Sequence, residues 1–404
     1  MTEPARSSSY SELTTHRLCP QQWQYSYLRG LEKDDPEALA VGRDFGSWWH
    51  ALRAADTLER GRTLGSLRVV PPSVKTADDG PRFDGETVTR DDVLAAARDW
   101  WRSRPVEAQA QWLDTLGEPL PDRLASLWAS WADRWGDDTA AEVPLAVELR
   151  WARLLPATAA GTDARTTLVG RVDEVYLDRK RGLVVVRDTK TGHDLASQTA
   201  ADDMMDSQLQ LYAWGITPLV KDWDVGRVGA VGYDRVRSVA PRPPMLTKSG
   251  RLAVRGGEPS IGQCDLRTYL DWAKGEDGAG VPFPGMKADG SAAGFYQAED
   301  SVIEKLSSPA AASIWFQRTL TPLNVNLVRT HLRSAVDSAL DLAASRARVE
   351  RTGEAARNLT KSCRWCDFAA LCRAEMIGGP ARDGDSAAYD LADFKLRRRP
   401  PRER

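Results

Sequence analysis

Apolar and polar residues along the 404-residue chain change period several times, and each change predicts an element. Near the start, Leu13, Leu18, Trp23, Tyr27 and Leu28 recur at roughly helical spacing behind Ser9-Tyr10-Ser11-Glu12, which has the pattern of a capping box. Cys19-Pro20 interrupts this helix. Proline removes a backbone donor and restricts the residue before it, so the Cys19 sulfur is expected at a helix break, free to face a ligand. A second helix is expected from Phe45 through Trp48, Trp49, His50 and Leu52 to about Glu59. From about Asp91 to Gly136, Trp100, Trp101, Trp112, Leu116, Leu124, Leu127, Trp128, Trp131 and Trp135 recur mostly at helical spacings, predicting a helical insertion. Tryptophans so spaced are packing residues before they are stacking platforms for unpaired bases.

Downstream the period shortens. Val143 to Trp151 alternates, Thr167 to Leu177 follows, and Leu183-Val184-Val185-Val186 is a continuous apolar run, as in a strand covered on both faces. The polar, glycine-ended link Asp178 to Gly182 predicts a hairpin turn. A helix is expected from roughly Asp202 to Ile216 and another strand from Val225 to Arg237. Pro241 to Gly294 is rich in Pro and Gly, with one helical stretch near Leu266 to Ala273, and reads as irregular. Asn324 to Arg351 forms a long amphipathic pattern leading to a cysteine-rich segment and a Gly/Asp-rich tail. No repeat of twenty to fifty residues is evident. Strands bracketed by helices predict an α/β fold with a central mixed β-sheet flanked by helices. Residues 1–60 and 141–375 would form the core, 85–140 a helical insertion and 376–404 a basic, flexible tail.

Composition narrows the class. No run of eighteen apolar residues exists, and the short polar stretch Met1 to Ser9 supports neither a signal peptide nor an anchor, so a cytoplasmic protein without membrane contact is expected. Five cysteines argue against a disulfide scaffold, and the three near the C-terminus suggest metal in a reducing compartment, with Cys264 an ordinary thiol. A formal net charge of −2 leaves any attraction for nucleic acid to local patches. Arg235, Arg237, Arg242, Lys248, Arg251 and Arg255 form one run free of acids, and Lys395 to Arg404 is a second basic run with the single acid Glu403. Such runs are usually solvated surface, and they permit DNA binding without proving it.

Candidate chemistry lies in three strings: Gly170-Arg171-Val172-Asp173, Asp188-Thr189-Lys190 and Gln208-Leu209-Gln210-Leu211-Tyr212. Hydrolysis of a phosphodiester needs neutralised phosphate charge and a hydroxide placed in line, which a divalent cation on hard oxygen ligands provides. The predicted hairpin brings Asp173 and Asp188 together, and the two-residue strand period puts Lys190 on the face of Asp188. There an ammonium can orient water or stabilise phosphate charge. The Thr189 carbonyl is a further oxygen donor. His50 is a natural additional ligand, although a lone histidine is more often a plain polar residue. Gln208 and Tyr212 share a helical face, bracing the carboxylates or simply packing on the sheet. Asp-x-Lys alone occurs by chance in many proteins. Cys19, Cys363, Cys366 and Cys372 offer four thiolates for zinc or for a [4Fe-4S] cluster, and spacing does not separate the two.

Taken in order, Gly46-x3-His50, Gly170-x2-Asp173, Asp188-x-Lys190 and Gln208-x3-Tyr212 resemble the motifs of the PD-(D/E)xK nuclease superfamily, in particular its RecB-like branch. Ser9-Tyr10-Ser11 to Cys19-Pro20, with Cys363-x2-Cys366-x5-Cys372, resembles the iron–sulfur form of that branch, as in the AddB nuclease domain and CRISPR-associated RecB-like exonucleases. The likeness covers roughly 9–55, 143–240 and 325–375. It implies a restriction-endonuclease-like core and a metal-dependent DNA exonuclease of recombination, repair or DNA processing. A same-fold endonuclease and a non-catalytic iron–sulfur DNA-binding subunit are the alternatives.

Residue by residue, the resemblance implies Mg2+ or Mn2+ on His50, Asp173, Asp188 and the Thr189 carbonyl. Lys190 would be the catalytic lysine, and Gln208 and Tyr212 the supporting helix motif. Glu148 matches an acidic position on the preceding strand. It also favours the [4Fe-4S] cluster over structural zinc, closing the fold from both ends. Asp188 stands where many relatives have Glu. The sequence lacks the G-x4-G-K-[ST] string of a helicase motor, so any helicase or recombination partner would be a separate protein.

Overall fold

The computed structural model describes residues 6–34, 41–77, 80–156, 166–193, 195, 203, 205–255, 258–259, 261–275, 278–284, 294–376 and 395–398. Strand β1 (Arg6–Ser9) leads into helix α1 (Tyr10–Leu18), capped by Ser9, whose hydroxyl accepts from the Glu12 amide at 3.1 Å. Glu12 does not return the second bond of a capping box. Its Oε1 instead accepts from Trp23 Nε1 at 3.0 Å and from Arg346 at 2.6 Å, tying the first helix to the last long one. The helix breaks at extended Cys19, and Pro20 opens α2 (Pro20–Trp23), where its missing N–H leaves no bond unmade. One π-helical turn, Gln24–Leu28, and strand β2 (Leu31–Asp34) follow.

Helix α3 (Val41–Leu64) extends beyond the stretch expected from sequence at both ends. The segment after it holds a short ribbon, β3 (Ser73–Lys75) with β4 (Arg82–Asp84), and three helices, α4 (Arg90–Arg102), α5 (Val106–Leu116) and α6 (Leu120–Ala140). Trp100, Trp112 and Trp131 are buried against Trp48, Trp49 and Phe45 of α3. These rings are core, as helical spacing suggested, and none of them is available to a base.

The central sheet is mixed and has seven strands. Strands β5 (Glu142–Leu154), β6 (Thr166–Asp178) and β7 (Leu183–Gly192) run antiparallel in turn. Gly182, at φ +64°, and the Asp178 carboxylate, which accepts from the Arg181 amide, close the β6–β7 turn. Helix α7 (Ser207–Asp222) then crosses to β8 (Val228–Arg237), which lies parallel to β7. A parallel pair requires such a crossover. β9 (Phe316–Arg318) and β10 (Thr321–Pro322) add antiparallel to β8.

Between β8 and β9, helices α8 (Leu266–Lys274), α9 (Asp300–Ser307) and α10 (Pro309–Ala312) surround a satellite core on Tyr269 and Tyr296. Helix α11 (Val325–Thr352), a 3-10 turn (Lys361–Trp365) and α12 (Ala369–Met376) complete the core. Within the stretch expected to be a flexible tail, Lys395–Arg398 forms β11, antiparallel to β2. Arg235 also departs from expectation. It is 4% exposed and paired with Asp203, so the run from Arg235 to Arg255 is not one cationic surface.

One arrangement matters for function. β5 occupies one edge of β6 along nearly its whole length, so β7 and β1 share the other edge. β7 pairs with Glu174–Asp178, and β1 runs parallel with Thr166–Val169. Gly170 to Asp173 lies between them, unpaired on that edge, where β6 and β7 fork apart.

Candidate active site

The fork gathers side chains from three elements. Asp173 ends the unpaired stretch of β6, and its Oδ2 accepts from the Thr189 amide of β7 at 2.8 Å. A strand residue points its N–H and C=O to the same edge, so the Thr189 carbonyl also faces this gap. Asp188 precedes it, and its Oδ2 lies 2.7 Å from Lys190 Nζ, as the strand period requires. From α3, His50 Nδ1 approaches Asp173 Oδ2 at 3.4 Å. Gly46 lies one helical turn earlier, where a Cβ would stand 2.9 Å from the Thr191 hydroxyl. The absent side chain lets α3 lie close on β7, which brings His50 to the fork.

The opposite wall is α7. Asp206 caps it, Oδ1 accepting from the Gln208 amide at 2.6 Å while Oδ2 accepts from the Tyr233 hydroxyl of β8 at 2.7 Å. Gln208 Nε2 donates to Tyr212 Oη at 3.0 Å and reaches Asp188 Oδ1 at 3.4 Å. The other face of Tyr212 meets Trp151 edge-on at 5.8 Å between centroids. Trp151 explains the glycine of the first string. A Cβ on Gly170 would stand 2.7 Å from its ring and one on Gly215 of α7 2.4 Å, so the indole is clamped between sheet and helix.

The residues beside the two aspartates anchor a buried ionic network. Glu174 accepts from Arg53 of α3 at 2.8 Å, and Arg187 donates to Glu142 at 2.9 Å and to the Tyr176 hydroxyl at 2.6 Å. Asp234 of β8 accepts from Arg318 at 2.7 Å and from Trp131 Nε1 at 3.1 Å. The strand positions of Asp173 and Asp188 are thereby held through their neighbours.

The electrostatics are those of a cavity short of positive charge. Burial, and then the charge of Asp173, push Asp188 up to about 6, and burial pushes Asp173 to about 6 despite the Thr189 amide. Glu148 is raised to about 7, mainly by burial, against the pull of Arg171 at 2.8 Å. His50 is lowered to about 4 by burial, so it stands neutral with a lone pair to offer. Lys190 is raised by Asp188 and Asp173, which outweigh its burial, so it carries its proton.

Among the described residues, His50, Glu148 and Asp173 form a group whose ligand atoms lie within 4.8 Å of one another. Their hard-oxygen and imidazole donors fit a divalent cation at about 2.0–2.2 Å from each ligand. Glu148 is thus closer to this group than Asp188, whose carboxylate is turned to Lys190 and Gln208. Glu148 adopts φ +50°, and its strand register, with Val147 opposite Glu174 and Leu149 opposite Val172, sets it across from Asp173. Two contributors were not identified from sequence: Asp206, which falls inside the helix expected from about Asp202 but caps one that starts at Ser207, and Tyr233, whose ring lies 5.7 Å from Lys190 Nζ. A cap position ahead of Gln208 was the available signal for Asp206.

The cysteines form a second assembly. Cys19, Cys363, Cys366 and Cys372 are half-buried free thiols. Asn358 donates to the Leu18 carbonyl at 3.0 Å, docking the last segment on the end of α1. Cys366 is raised first by burial and then by Cys19 and Cys363, while Cys372 lies beside Arg357 and Tyr25. Cys264 is apart, buried, and pushed up to about 12 by burial, an inert thiol.

No described helix is long and apolar enough to cross a membrane. No curated protein sequence matches the chain. A solved structure described as a phage related exonuclease from Haemophilus somnus 129PT is similar at 12% identity, covering 70% of this chain and 92% of its own, with a TM-score of 0.20. That likeness is too slight to bear on fold or activity. The profile of the PD-(D/E)XK nuclease superfamily matches residues 7–373, spanning both the fork and the cysteine segment, and the chain belongs to this superfamily.

Proposed function

We propose that the protein is a divalent-metal-dependent DNA exonuclease of the RecB-like iron–sulfur type, acting at DNA ends in recombination, repair or DNA processing. The observation that carries the reading is the meeting of His50, Asp173, Asp188 and Lys190 at the one place where β6 loses its partner strand. His50, Asp173, Asp188 and the Thr189 carbonyl would hold Mg2+ or Mn2+, with Glu148 as a further carboxylate. A bound cation supplies a hydroxide-like water at neutral pH and neutralises phosphate charge.

The chain's own side chains do the rest. Lys190 stays protonated, so it acts as a donor to water or phosphate oxygen and not as a base. Gln208 and Tyr212 keep Asp188 in place, and Tyr212 closes the fork on the side of Trp151. The four cysteines would carry a [4Fe-4S] cluster as a staple between the two ends of the fold. Structural zinc on the same four thiolates is the alternative.

The test compares wild type, Asp188→Ala and Lys190→Ala on linear and covalently closed DNA with Mn2+. Wild type is expected to degrade linear DNA and spare closed circles, with both variants reduced at least a hundredfold on the scale of a lost electrostatic contact. Equal activity of all three proteins refutes the site, and cutting of closed circles assigns an endonuclease.

A further inference from the structure

Trp365 is 82% exposed, more than any other large hydrophobic side chain among the described residues. It forfeits the burial that Trp48, Trp49 and Trp112 obtain in the core. It ends the 3-10 turn between Cys363 and Cys366, in a stretch where Leu359 is also exposed. Lys361, Arg364 and Arg373 are exposed in the same segment, and Arg17 is exposed on the end of α1 where that segment docks. None of the four forms an ion pair among the described residues. Of the two acids between Leu359 and Met376, Glu375 is spent on Tyr25 at 2.6 Å and Arg29 at 2.7 Å, leaving Asp367.

A solvent-facing indole among unpaired cations suits one partner chemistry, single-stranded nucleic acid, whose bases stack and whose phosphates need neutralising. Apart from Asp367 the free charge of the patch has one sign, as a phosphate backbone requires. Helix α1 runs between this segment and the fork: at one end Tyr10 Oη lies 2.7 Å from Ser207 Oγ, beside Gln208, and at the other stands Cys19. Nine residues at 1.5 Å make α1 about 14 Å long.

We infer that Trp365 is a stacking contact for single-stranded DNA outside the fork, at the Cys19 end of α1, with Lys361, Arg364, Arg373 and Arg17 on its phosphates. The inference rests on the nuclease reading above.

Fluorescence anisotropy with the full chain and an end-labelled oligothymidylate of about 12 nucleotides, with Ca2+ in place of Mn2+ to suppress turnover, tests it. Trp365→Ala is expected to weaken binding about five- to a hundredfold. Trp365→Phe is expected to retain most of the affinity, and the Lys361→Ala, Arg364→Ala pair to flatten the salt slope by about 1.4. Metal content and thermal midpoint should match wild type in all of them. Unchanged affinity in Trp365→Ala overturns the inference, as does loss in Trp365→Phe equal to that in Trp365→Ala. Normal binding by Trp365→Ala in a protein that hydrolyses DNA leaves the nuclease reading standing. Binding through Trp365 by a protein that hydrolyses nothing refutes that reading alone.

Discussion

Gly46→Ala separates the stability of helix α3 from its function. At this position a Cβ would stand 2.9 Å from the Thr191 hydroxyl, where ordinary contact begins near 3.4 Å. The helix must therefore retreat from β7 by about half an ångström, or Thr191 must turn. His50 lies one turn further on, 3.4 Å from Asp173, and metal sites tolerate ligand displacements of only about 0.2 Å. Loss of comparable positioning around a metal costs about ten- to a hundredfold in affinity. Alanine is the better helix former by about 0.5–1 kcal/mol, so the variant should unfold no earlier than wild type. The assay is calorimetric Mn2+ titration beside urea denaturation. Gly46→Ala should bind Mn2+ at least tenfold more weakly at equal or higher stability, and adding Thr191→Ala, which removes the obstructing hydroxyl, should restore affinity. Wild-type affinity in the single variant, or no recovery in the double, would show that the close approach of α3 does not place His50.

Three further outcomes follow from the packing and charge of the core. Gly215→Ala forces a Cβ to within 2.4 Å of the Trp151 ring, so urea unfolding should show a loss of about 1–3 kcal/mol, and an unchanged midpoint would contradict the clamp. Arg53→Ala leaves Glu174 with Thr57 and, at 3.6 Å, Arg187, but takes away its shortest buried contact, and it strips Trp131 of a guanidinium 3.8 Å from its ring. A cost of about 3–5 kcal/mol is expected in the same assay, and under 1 kcal/mol would mean the network is dispensable. Because Asp188 is held at about 6 against an ordinary 3.8, the folded protein binds the extra proton between these values. Metal-free stability should then fall as pH rises from about 4 to 6, by at most about 3 kcal/mol for this group. Mn2+ relieves the penalty, so its thermal stabilisation should be larger at pH 7 than at pH 5, and equal shifts would contradict the charge deficit.

Local strings carried the parts of this architecture that depend on short periods. The two-residue period placed Lys190 beside Asp188, the glycine-ended link gave the β6–β7 turn, and proline marked the break at Cys19. What escaped depends on partners far along the chain. β1 is Arg-Ser-Ser-Ser, with no apolar alternation, and becomes a strand only because β6 has an open edge. Arg235 looked like part of a cationic run until Asp203 buried it, and Glu12 looked like half of a capping box until Trp23 and Arg346 claimed its carboxylate. Trp365 is the converse case. In sequence it is one tryptophan among fifteen, and only the fold shows that the cysteine turn leaves it in solvent while Trp100, Trp112 and Trp131 become core. Glu148 shows how far spacing reaches: the β5–β6 register sets it opposite Asp173, while its backbone at φ +50° is not legible in the alternation.

The central claim is that the β6–β7 fork is a divalent-metal site, and the most direct measurement is anomalous diffraction from crystals soaked in Mn2+. In the difference between data collected just above and just below the manganese edge, which cancels any iron signal, the strongest peak is predicted between the His50 ring, the carboxylates of Asp173 and Asp188 and the Thr189 carbonyl, and it should vanish in Asp188→Ala. A strongest peak elsewhere in the molecule, or one at the fork that survives the loss of Asp188, would contradict the account.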